Sequence, residues 1–234
     1  MTAPDIVYPV RPGNQNEELR YSLRSLAHLP HGRVWVAGHL PPWVRGVGHI
    51  PVEPQATKYL GSTANLRAAV EHPDVAEEFL YFNDDFFLMQ PLAAMPVLHR
   101  GPLERVERYY AHRANGSYLR GLRETKALLG ELGHRQPLSY ELHVPMPMAK
   151  SRVREALDVG AHLDVPHKRT LYGNLHQVGG REISDPKILT RSPRFPQTAP
   201  FLSTSPDTFA HGLVGRFIRA AFPQPGPYEG GRRR

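Results

Sequence analysis

The sequence predicts an α/β protein with a mainly parallel central sheet flanked by helices, and three observations lead to that prediction. Residues 5–10 and 33–37 are β-rich segments, and a helical pattern lies between them at 16–26. This β-α-β order favours a parallel sheet with a right-handed crossover. The run at 79–87 is apolar on both faces, as is a strand buried inside a layered sheet. With 234 residues, the chain is long enough to bury one large core.

The individual elements follow from hydrophobic periodicity and from breaking residues. In the helix at 16–26, Leu19, Leu23 and Leu26 recur at helical spacing behind Asn16, a good N-cap. Further on, the sequence predicts a short strand at 47–52, helices at 63–70, 103–113, 117–132, 149–158 and 209–221, a proline-rich loop at 137–147, and an irregular segment carrying His162, His167, Lys168 and Arg169. We expect one domain over 1–228 and a basic, disordered tail over 229–234.

The composition excludes several classes of protein. The chain has no cysteine, which excludes disulfides, thiolate zinc sites and cysteine nucleophiles. It contains no apolar run near the length of a membrane span and opens without a secretory signal, so we expect a cytoplasmic protein. The net charge of +7 favours phosphorylated ligands, nucleic acid or anionic surfaces. Nucleic acid is the weaker alternative, because no long block of like charge and no nucleic-acid module is visible.

The motif Asn83-Asp84-Asp85 is the most informative feature of the chain. It stands at the exit of the apolar run at 79–87, next to the predicted core. Carboxylates in that position are costly unless something pairs with them. A divalent cation with a bound phosphate is one solution, since Mg²⁺ takes one or two carboxylates together with phosphate oxygens. The alternative is a plain turn after a strand, where Asn and Asp are common.

Several segments of the chain resemble the signature blocks of the Stealth family. Residues 16–26, 41–43 and 79–85 are similar, in that order, to the family's second block. Residues 5–13 are similar to its opening block but lack the usual Thr-Trp-Val-Asp-Gly ending. Weaker similarities to the third and fourth blocks lie at 143–147, 167–174 and 209–229, and the segment 88–140 is unmatched. The family includes bacterial capsular polysaccharide phosphotransferases and the animal N-acetylglucosamine-1-phosphotransferase.

The resemblance implies a fold related to the GT-A nucleotide-sugar transferases, and with it a reaction. The resemblance implies that a hydroxyl acceptor attacks the β-phosphorus of a UDP-sugar, so that hexose-1-phosphate is transferred and UMP is released. It also implies that the acceptor is a glycan. One alternative on the same scaffold is a glycosyltransferase that releases UDP, with a glycan, a virion protein or modified DNA as acceptor. Another is a basic nucleic-acid-binding protein without catalysis. The oligomeric state does not follow from the sequence.

Phosphoryl transfer requires neutralisation of the diphosphate charge. A metal ion can supply the positive charge, and acidic side chains are its candidate ligands. Asp84 and Asp85 are the expected ligands of Mg²⁺ or Mn²⁺, and Asp85 is also a candidate catalytic residue. Asn83 is expected to orient a phosphate group or a coordinated water. Asp5, at the tip of the first strand, is expected to reach the nucleotide or the metal; its alternative role is to cap a turn.

The basic and amide candidates are assigned to the donor. Arg11, in the first loop, and Arg24, on the first helix, are candidates for the diphosphate, because guanidinium groups suit phosphate oxygens. For Arg24 the alternative is an ion pair with an acidic residue of the same helix. Lys58 and Asn65, before and within the next helix, are candidate donor contacts.

Two histidines are the candidate acid–base groups, since imidazole titrates near neutrality. His143 lies among prolines in a stiff loop, and His167 precedes Lys168 and Arg169. Arg169 is a candidate for the anionic transition state. The alternative for either histidine is an ordinary surface position, because the chain has thirteen histidines.

Overall fold

The computed structural model describes residues 3–13, 15–112, 116–192 and 194–230. The helices are α1 Glu17–Ser25, α2 Lys58–Glu71, α3 Leu103–Ala111, α4 Ser117–Glu131, α5 Lys150–Val159, α6 Lys168–Leu175, α7 Pro206–His211 and α8 Leu213–Ala221. The strands are β1 Asp5–Val10, β2 Val34–Gly38, β3 Gly48–Ile50, β4 Glu78–Tyr81, β5 Phe86–Leu88, β6 Leu98–His99, β7 Met146–Ala149, β8 Arg181–Glu182, β9 Lys187–Ile188 and β10 Phe201–Thr204. None of the described helices combines the length and apolar character needed to cross a membrane.

The central sheet contains five strands in the order β3-β2-β1-β4-β7. β1 pairs in parallel with β2 and β4, β2 pairs in parallel with β3, and β7 runs antiparallel to β4. The predicted α/β class and the β-α-β opening are therefore confirmed. Because parallel strands end at the same edge, the loops after β1 to β4 meet there, where open α/β sheets bind ligands.

Both faces of the central sheet are buried, which explains why its strands are apolar throughout. On β1, Ile6 and Tyr8 belong to a hydrophobic cluster that includes Leu19 and Leu23 of α1. Val7 points to the opposite face, into a cluster built with side chains of α2, α4, α5 and α6. The alternation along one strand thus places helices on both sides of the sheet.

The aromatic run at 79–87 forms two strands in two sheets, whereas the sequence predicts one. β4 ends at Tyr81 in the central sheet, and β5 begins at Phe86 in a second sheet of order β5-β10-β9. Asn83, Asp84 and Asp85 connect the two sheets. Apolar residues flank this short polar turn on both sides, so hydropathy alone does not reveal the change of sheet.

Three other segments differ from the prediction. The proline-rich loop ends in the strand β7, and the segment predicted to be irregular contains the helix α6. The predicted last helix is divided at Gly212 into α7 and α8. Arg113, at the end of the predicted third helix, lies outside the described residues.

The sequence predicts a disordered tail from 229, but Glu229 and Gly230 make defined contacts in the structure. Glu229 accepts hydrogen bonds from Arg20 and Arg24 of α1, and the Gly230 amide donates to the Trp43 carbonyl at 2.7 Å. These contacts attach both residues to the domain. Residues 231–234 lie outside the described part of the chain, so the prediction for them stays a prediction.

Candidate active site

Three adjoining cavities lie along the carboxyl edge of the central sheet. The outer groove, of about 500 Å³, is lined by residues that follow β1, β2 and β3 and by the start of α2. The central cavity, of about 380 Å³, shares Arg11, Lys58 and Asn65 with the outer groove. The inner cavity, of about 160 Å³, shares Asn83 and His143 with the central cavity. The three cavities therefore lie side by side along this edge.

Asp84 lies in the wall of the central cavity and is held by the cap of α1. Asn16, in the left-handed conformation with φ 33°, accepts a hydrogen bond from the Leu19 amide and so caps the helix, as predicted. Its Nδ2 donates to Asp84 Oδ2 at 2.9 Å. Desolvation raises the pKa of Asp84, and the negative charge of Asp85 raises it further. One amide side chain therefore links a helix terminus to the acidic motif.

Asp85 is paired with a lysine from the second sheet. Lys187, the first residue of β9, donates from Nζ to Asp85 Oδ2, and Ser203 Oγ donates to the same oxygen at 2.9 Å. Only 12% of the Asp85 side chain and 17% of the Lys187 side chain are exposed. Ser203 stands beside Lys187 because β9 and β10 pair in parallel at these residues. The charge of Asp85 is thus neutralised by the protein itself.

The described residues do not form a cage for a divalent cation. Within residues 3–13, 15–112, 116–192 and 194–230, no group of three or more His, Asp or Glu side chains is arranged to hold a metal ion. Oδ2 of Asp85 already has two donors, one of them an ammonium group, and Oδ2 of Asp84 accepts from Asn16. Mg²⁺ requires oxygen ligands in near-octahedral geometry. At Asp85 the lysine ammonium therefore lies where the sequence predicts Mg²⁺ or Mn²⁺, and a metal ion held by Asp84, Asp85 and phosphate oxygens of the donor stays a prediction.

His143 borders both the central and the inner cavity and is held by a carboxylate. Its Nδ1 lies 3.0 Å from each oxygen of Asp185, and Arg100 Nη1 lies 3.4 Å from the same carboxylate. Burial alone would raise the pKa of Asp185, but His143 and Arg100 lower it. The ionised carboxylate fixes the proton of the ring on Nδ1, so Nε2 is left as the basic nitrogen. This geometry is that of a general base.

His167, the other candidate acid–base group, is a buried part of the wall. The ring lies with its centroid 4.6 Å from that of Tyr118, and its Nε2 donates to the Tyr118 carbonyl at 3.2 Å. Burial lowers the pKa of His167, which keeps the ring neutral. Its Nδ1 has no hydrogen-bond partner among the described residues. Between the two histidines, the geometry favours His143 for proton transfer.

Arg169 positions Asn83 and is otherwise occupied by backbone oxygens. Its Nη1 donates to the Leu142 carbonyl at 2.6 Å, and its Nη2 donates to Asn83 Oδ1 at 3.3 Å. The guanidinium lies over the rings of Tyr81 and Phe86 at 4.9 and 5.0 Å from their centroids. These contacts give Arg169 a positioning role, and its predicted catalytic role stays a prediction, because some of its five N–H donors remain free of these partners.

Lys168, which the sequence groups with His167 and Arg169 as a cluster suited to an anionic transition state, contributes a cation to the inner cavity. Its Nζ donates to Ser62 Oγ at 3.0 Å, on the second turn of α2. Desolvation lowers the pKa of Lys168 to about 8, although the charge of Glu141 opposes this shift. At pH 7 the amine is therefore protonated and carries a positive charge, which suits an anionic ligand.

The outer groove and the central cavity are joined by polar side chains predicted to contact the donor. Arg11 and Lys58 are exposed and line both cavities. Asn65 is buried and donates to the Val10 carbonyl at 3.4 Å. A Cβ at Gly38, whose φ is +103°, would lie 2.6 Å from Asn65 Nδ2, so only glycine fits this corner. His39 lines the outer groove, and its buried Nε2 has no hydrogen-bond partner among the described residues.

The structure places Asp5 away from the cavities. It is the first residue of β1, so it lies at the amino edge of the sheet, whereas the cavities lie at the carboxyl edge. Its carboxylate accepts hydrogen bonds from Trp35 Nε1 at 2.8 Å and from the Arg33 and Ala76 amides at 2.9 and 3.0 Å. The predicted contact of Asp5 with nucleotide or metal is therefore wrong, and the turn-capping alternative holds.

Arg24 is also a structural residue. Its Nε and Nη2 donate to the two oxygens of Glu229 at 2.6 and 2.9 Å, and its Nη1 donates to the Phe222 carbonyl at 2.8 Å. The predicted diphosphate contact is therefore corrected to an ion pair. Its partner lies at the far end of the sequence, not on the same helix as the alternative prediction had it.

Comparisons with known proteins agree with the fold. No protein-family model matches the chain, and no curated protein matches it. A solved structure of galactosyltransferase LgtC, in complex with donor and acceptor sugar analogs, matches with a TM-score of 0.53 and 14% identity, covering 95% of this chain and 98% of LgtC. The structure of an active-site mutant of LgtC matches with a TM-score of 0.47 and 15% identity, over 79% of this chain and 75% of that one. The first likeness confirms the predicted GT-A-like fold.

Proposed function

We propose that this protein is a nucleotide-sugar transferase that moves hexose-1-phosphate from a UDP-sugar to a hydroxyl acceptor, with a glycan as the expected acceptor. The observation that carries the proposal is the His143–Asp185 pair, which presents a base in a cavity lined with cationic side chains. A carboxylate-held histidine suits removal of a hydroxyl proton, and the cations suit a diphosphate. These two features, in adjoining cavities, support phosphoryl transfer.

The three cavities suggest how the donor lies. The outer groove has room for the nucleoside at the carboxyl ends of β1, β2 and β3. Arg11 and Lys58 line both this groove and the central cavity, which supports assigning them to the diphosphate. The transferred sugar phosphate then reaches the boundary with the inner cavity, where His143 and Lys168 stand.

The reaction consists of one displacement at phosphorus. The acceptor oxygen attacks the β-phosphorus while its proton passes to Nε2 of His143. The new bond joins the acceptor oxygen to the β-phosphorus, and the bond from that phosphorus to the bridging oxygen breaks. UMP leaves with the bridging oxygen, and the sugar keeps its anomeric carbon–oxygen bond. Asp185 stabilises the imidazolium that forms.

The choice of phosphosugar transfer rests on the resemblance of the sequence blocks to the Stealth family. Glycosyl transfer is the alternative, because the same fold is found in galactosyltransferase LgtC and a fold does not determine a reaction. In that reaction the anomeric carbon–oxygen bond would break and UDP would leave. Either reaction uses a UDP-sugar and removes the proton of the acceptor hydroxyl.

A variant at His143 tests the proposed base. We expect His143→Gln to lower the rate of UDP-sugar consumption in the presence of an acceptor by about 10²-fold or more. Donor binding, measured by calorimetry, should stay within about twofold, because His143 acts on the acceptor. His162→Gln, at an exposed histidine away from the cavities, is the control. Full activity of His143→Gln, or no binding of any UDP-sugar to the wild type, would refute the proposal.

A further inference from the structure

We propose that Lys187, oriented by Asp85, is the residue that donates hydrogen bonds to the donor diphosphate in this site, in the place that a divalent metal ion occupies in many nucleotide-sugar enzymes. This inference rests on the proposed function and specifies how the same site binds its substrate. It starts from the pairing of Lys187 with Asp85 and of Asp84 with Asn16.

Lys187 is held firmly but retains bonding capacity. It lies at the start of β9, and its ammonium lies against Asp85 and in the wall of the central cavity. An ammonium group has three N–H donors. Asp85 is its hydrogen-bond partner among the described residues, so two N–H groups remain for phosphate oxygens. The largely buried stem fixes the charge in position before the ligand arrives.

A divalent ion at Asp85 would have to displace this lysine. Two cations a few ångströms apart in a partly desolvated cavity repel each other strongly. The hydrogen bond from Ser203 to the same carboxylate oxygen strengthens the arrangement with lysine, since it holds Asp85 in the orientation that faces Lys187. The protein therefore presents an ammonium group where a metal ion at Asp85 would lie.

The same short segment also positions the base. Asp185 holds His143, Lys187 holds Asp85, and the two residues are separated by Pro186 alone. Pro186 has a fixed φ, and its carbonyl accepts from the Ser203 amide at 3.3 Å. The segment Asp185-Pro186-Lys187 thus fixes the spacing between His143, which activates the acceptor, and Lys187, which binds the donor diphosphate.

Calorimetric titration with UDP and with UDP-N-acetylglucosamine tests the inference, in buffer containing EDTA and in buffer containing Mg²⁺ or Mn²⁺. We expect the wild type to bind both ligands in EDTA with an affinity within about twofold of that with metal. Lys187→Met should weaken binding in EDTA by about tenfold or more, the usual scale for loss of a charge-assisted hydrogen bond. Lys126→Met, at a surface lysine paired with Glu107, is the control and should bind as the wild type does.

Lys187→Met leaves Asp85 unpaired, so folding is controlled with the double variant Asp85→Asn/Lys187→Met, which removes both charges. The double variant should fold, by circular dichroism, and should also bind weakly in EDTA. Undiminished binding by either variant in EDTA would overturn the inference. Wild-type binding that requires Mg²⁺ or Mn²⁺ would overturn it and leave the proposed function standing. No binding in any buffer would overturn both.

Discussion

Replacing Glu229 with Gln tests how strongly the end of the described chain is tied to α1. The Glu229 side chain is 4% exposed and accepts hydrogen bonds from Arg24 Nε at 2.6 Å, from Arg24 Nη2 at 2.9 Å and from Arg20 Nη1 at 2.7 Å. Burial alone would raise the pKa of Glu229, but these donors and the Gly226 amide lower it to about 2. The two arginines therefore stabilise the ionised form.

The pKa shift gives the size of the effect. One pKa unit corresponds to about 1.36 kcal/mol, so a fall from 4.5 to about 2 stabilises the folded state by about 3 kcal/mol. Because the folded pKa lies below the unfolded pKa, this stability is present above pH 4.5 and is lost as the pH falls through 2. We expect Glu229→Gln to lower the free energy of unfolding by about 3 kcal/mol at pH 7 and by about half as much at pH 3.

Urea denaturation of the wild type and the variant at the two pH values measures this difference. Glu131→Gln, at an exposed glutamate with no ion pair among the described residues, is the control and should change the free energy of unfolding by less than about 0.5 kcal/mol. A loss below about 1 kcal/mol for Glu229→Gln at pH 7, or a loss independent of pH, would refute the reasoning.

Three further predictions concern the cavities. Glu18→Gln should stabilise the fold by about 3 kcal/mol at pH 8 and by little at pH 4. Burial and neighbouring carboxylates raise the pKa of Glu18 to about 7 against the hydrogen bond from Thr204, so ionisation opposes folding as the pH rises from 4.5 through 7. Thermal unfolding at the two pH values measures this, and equal stabilisation at both would contradict it. Donor affinity should fall above about pH 8, where Lys168 loses its proton, and the variant Lys168→Arg should keep its donor affinity to higher pH. Calorimetry across that pH range measures this, and the same fall in both proteins would exclude a role of Lys168 in donor binding. Asp185→Asn should lower kcat by about 10²-fold or more and change KM much less, since His143 loses the partner that orients its ring; steady-state kinetics separate the two, and a change in KM alone would argue against this role.

The sequence predicts the parts of the fold that depend on local patterns. The β-α-β opening, the Asn16 cap and the position of Asn83-Asp84-Asp85 at the carboxyl edge each follow from neighbouring residues and are found in the structure. The predicted contact of Asp5 with nucleotide or metal conflicts with the predicted strand itself. A residue that begins a parallel strand lies at the edge opposite the ligand edge, so its place was already determined by the predicted strand.

The partners of the site residues could not be predicted in this way. Lys187 lies 102 positions from Asp85, and Asp185 lies 42 positions from His143. β9, which brings Lys187 to the site, has two residues, too few for a recognisable alternation. The pairing of Arg24 with Glu229 spans 205 positions. Such contacts depend on how the sheets pack, which composition and periodicity do not encode residue by residue.

Separation of UMP from UDP after reaction is the most direct test of phosphosugar transfer. The wild type, incubated with UDP-N-acetylglucosamine or UDP-hexoses and a panel of hydroxyl acceptors, would be compared with His143→Gln by chromatography of the nucleotide products. The proposed mechanism predicts UMP as the product, in an amount equal to the sugar phosphate gained by the acceptor, and its loss in the variant. UDP as the product, with a bare sugar on the acceptor, would contradict phosphosugar transfer and make the protein a glycosyltransferase.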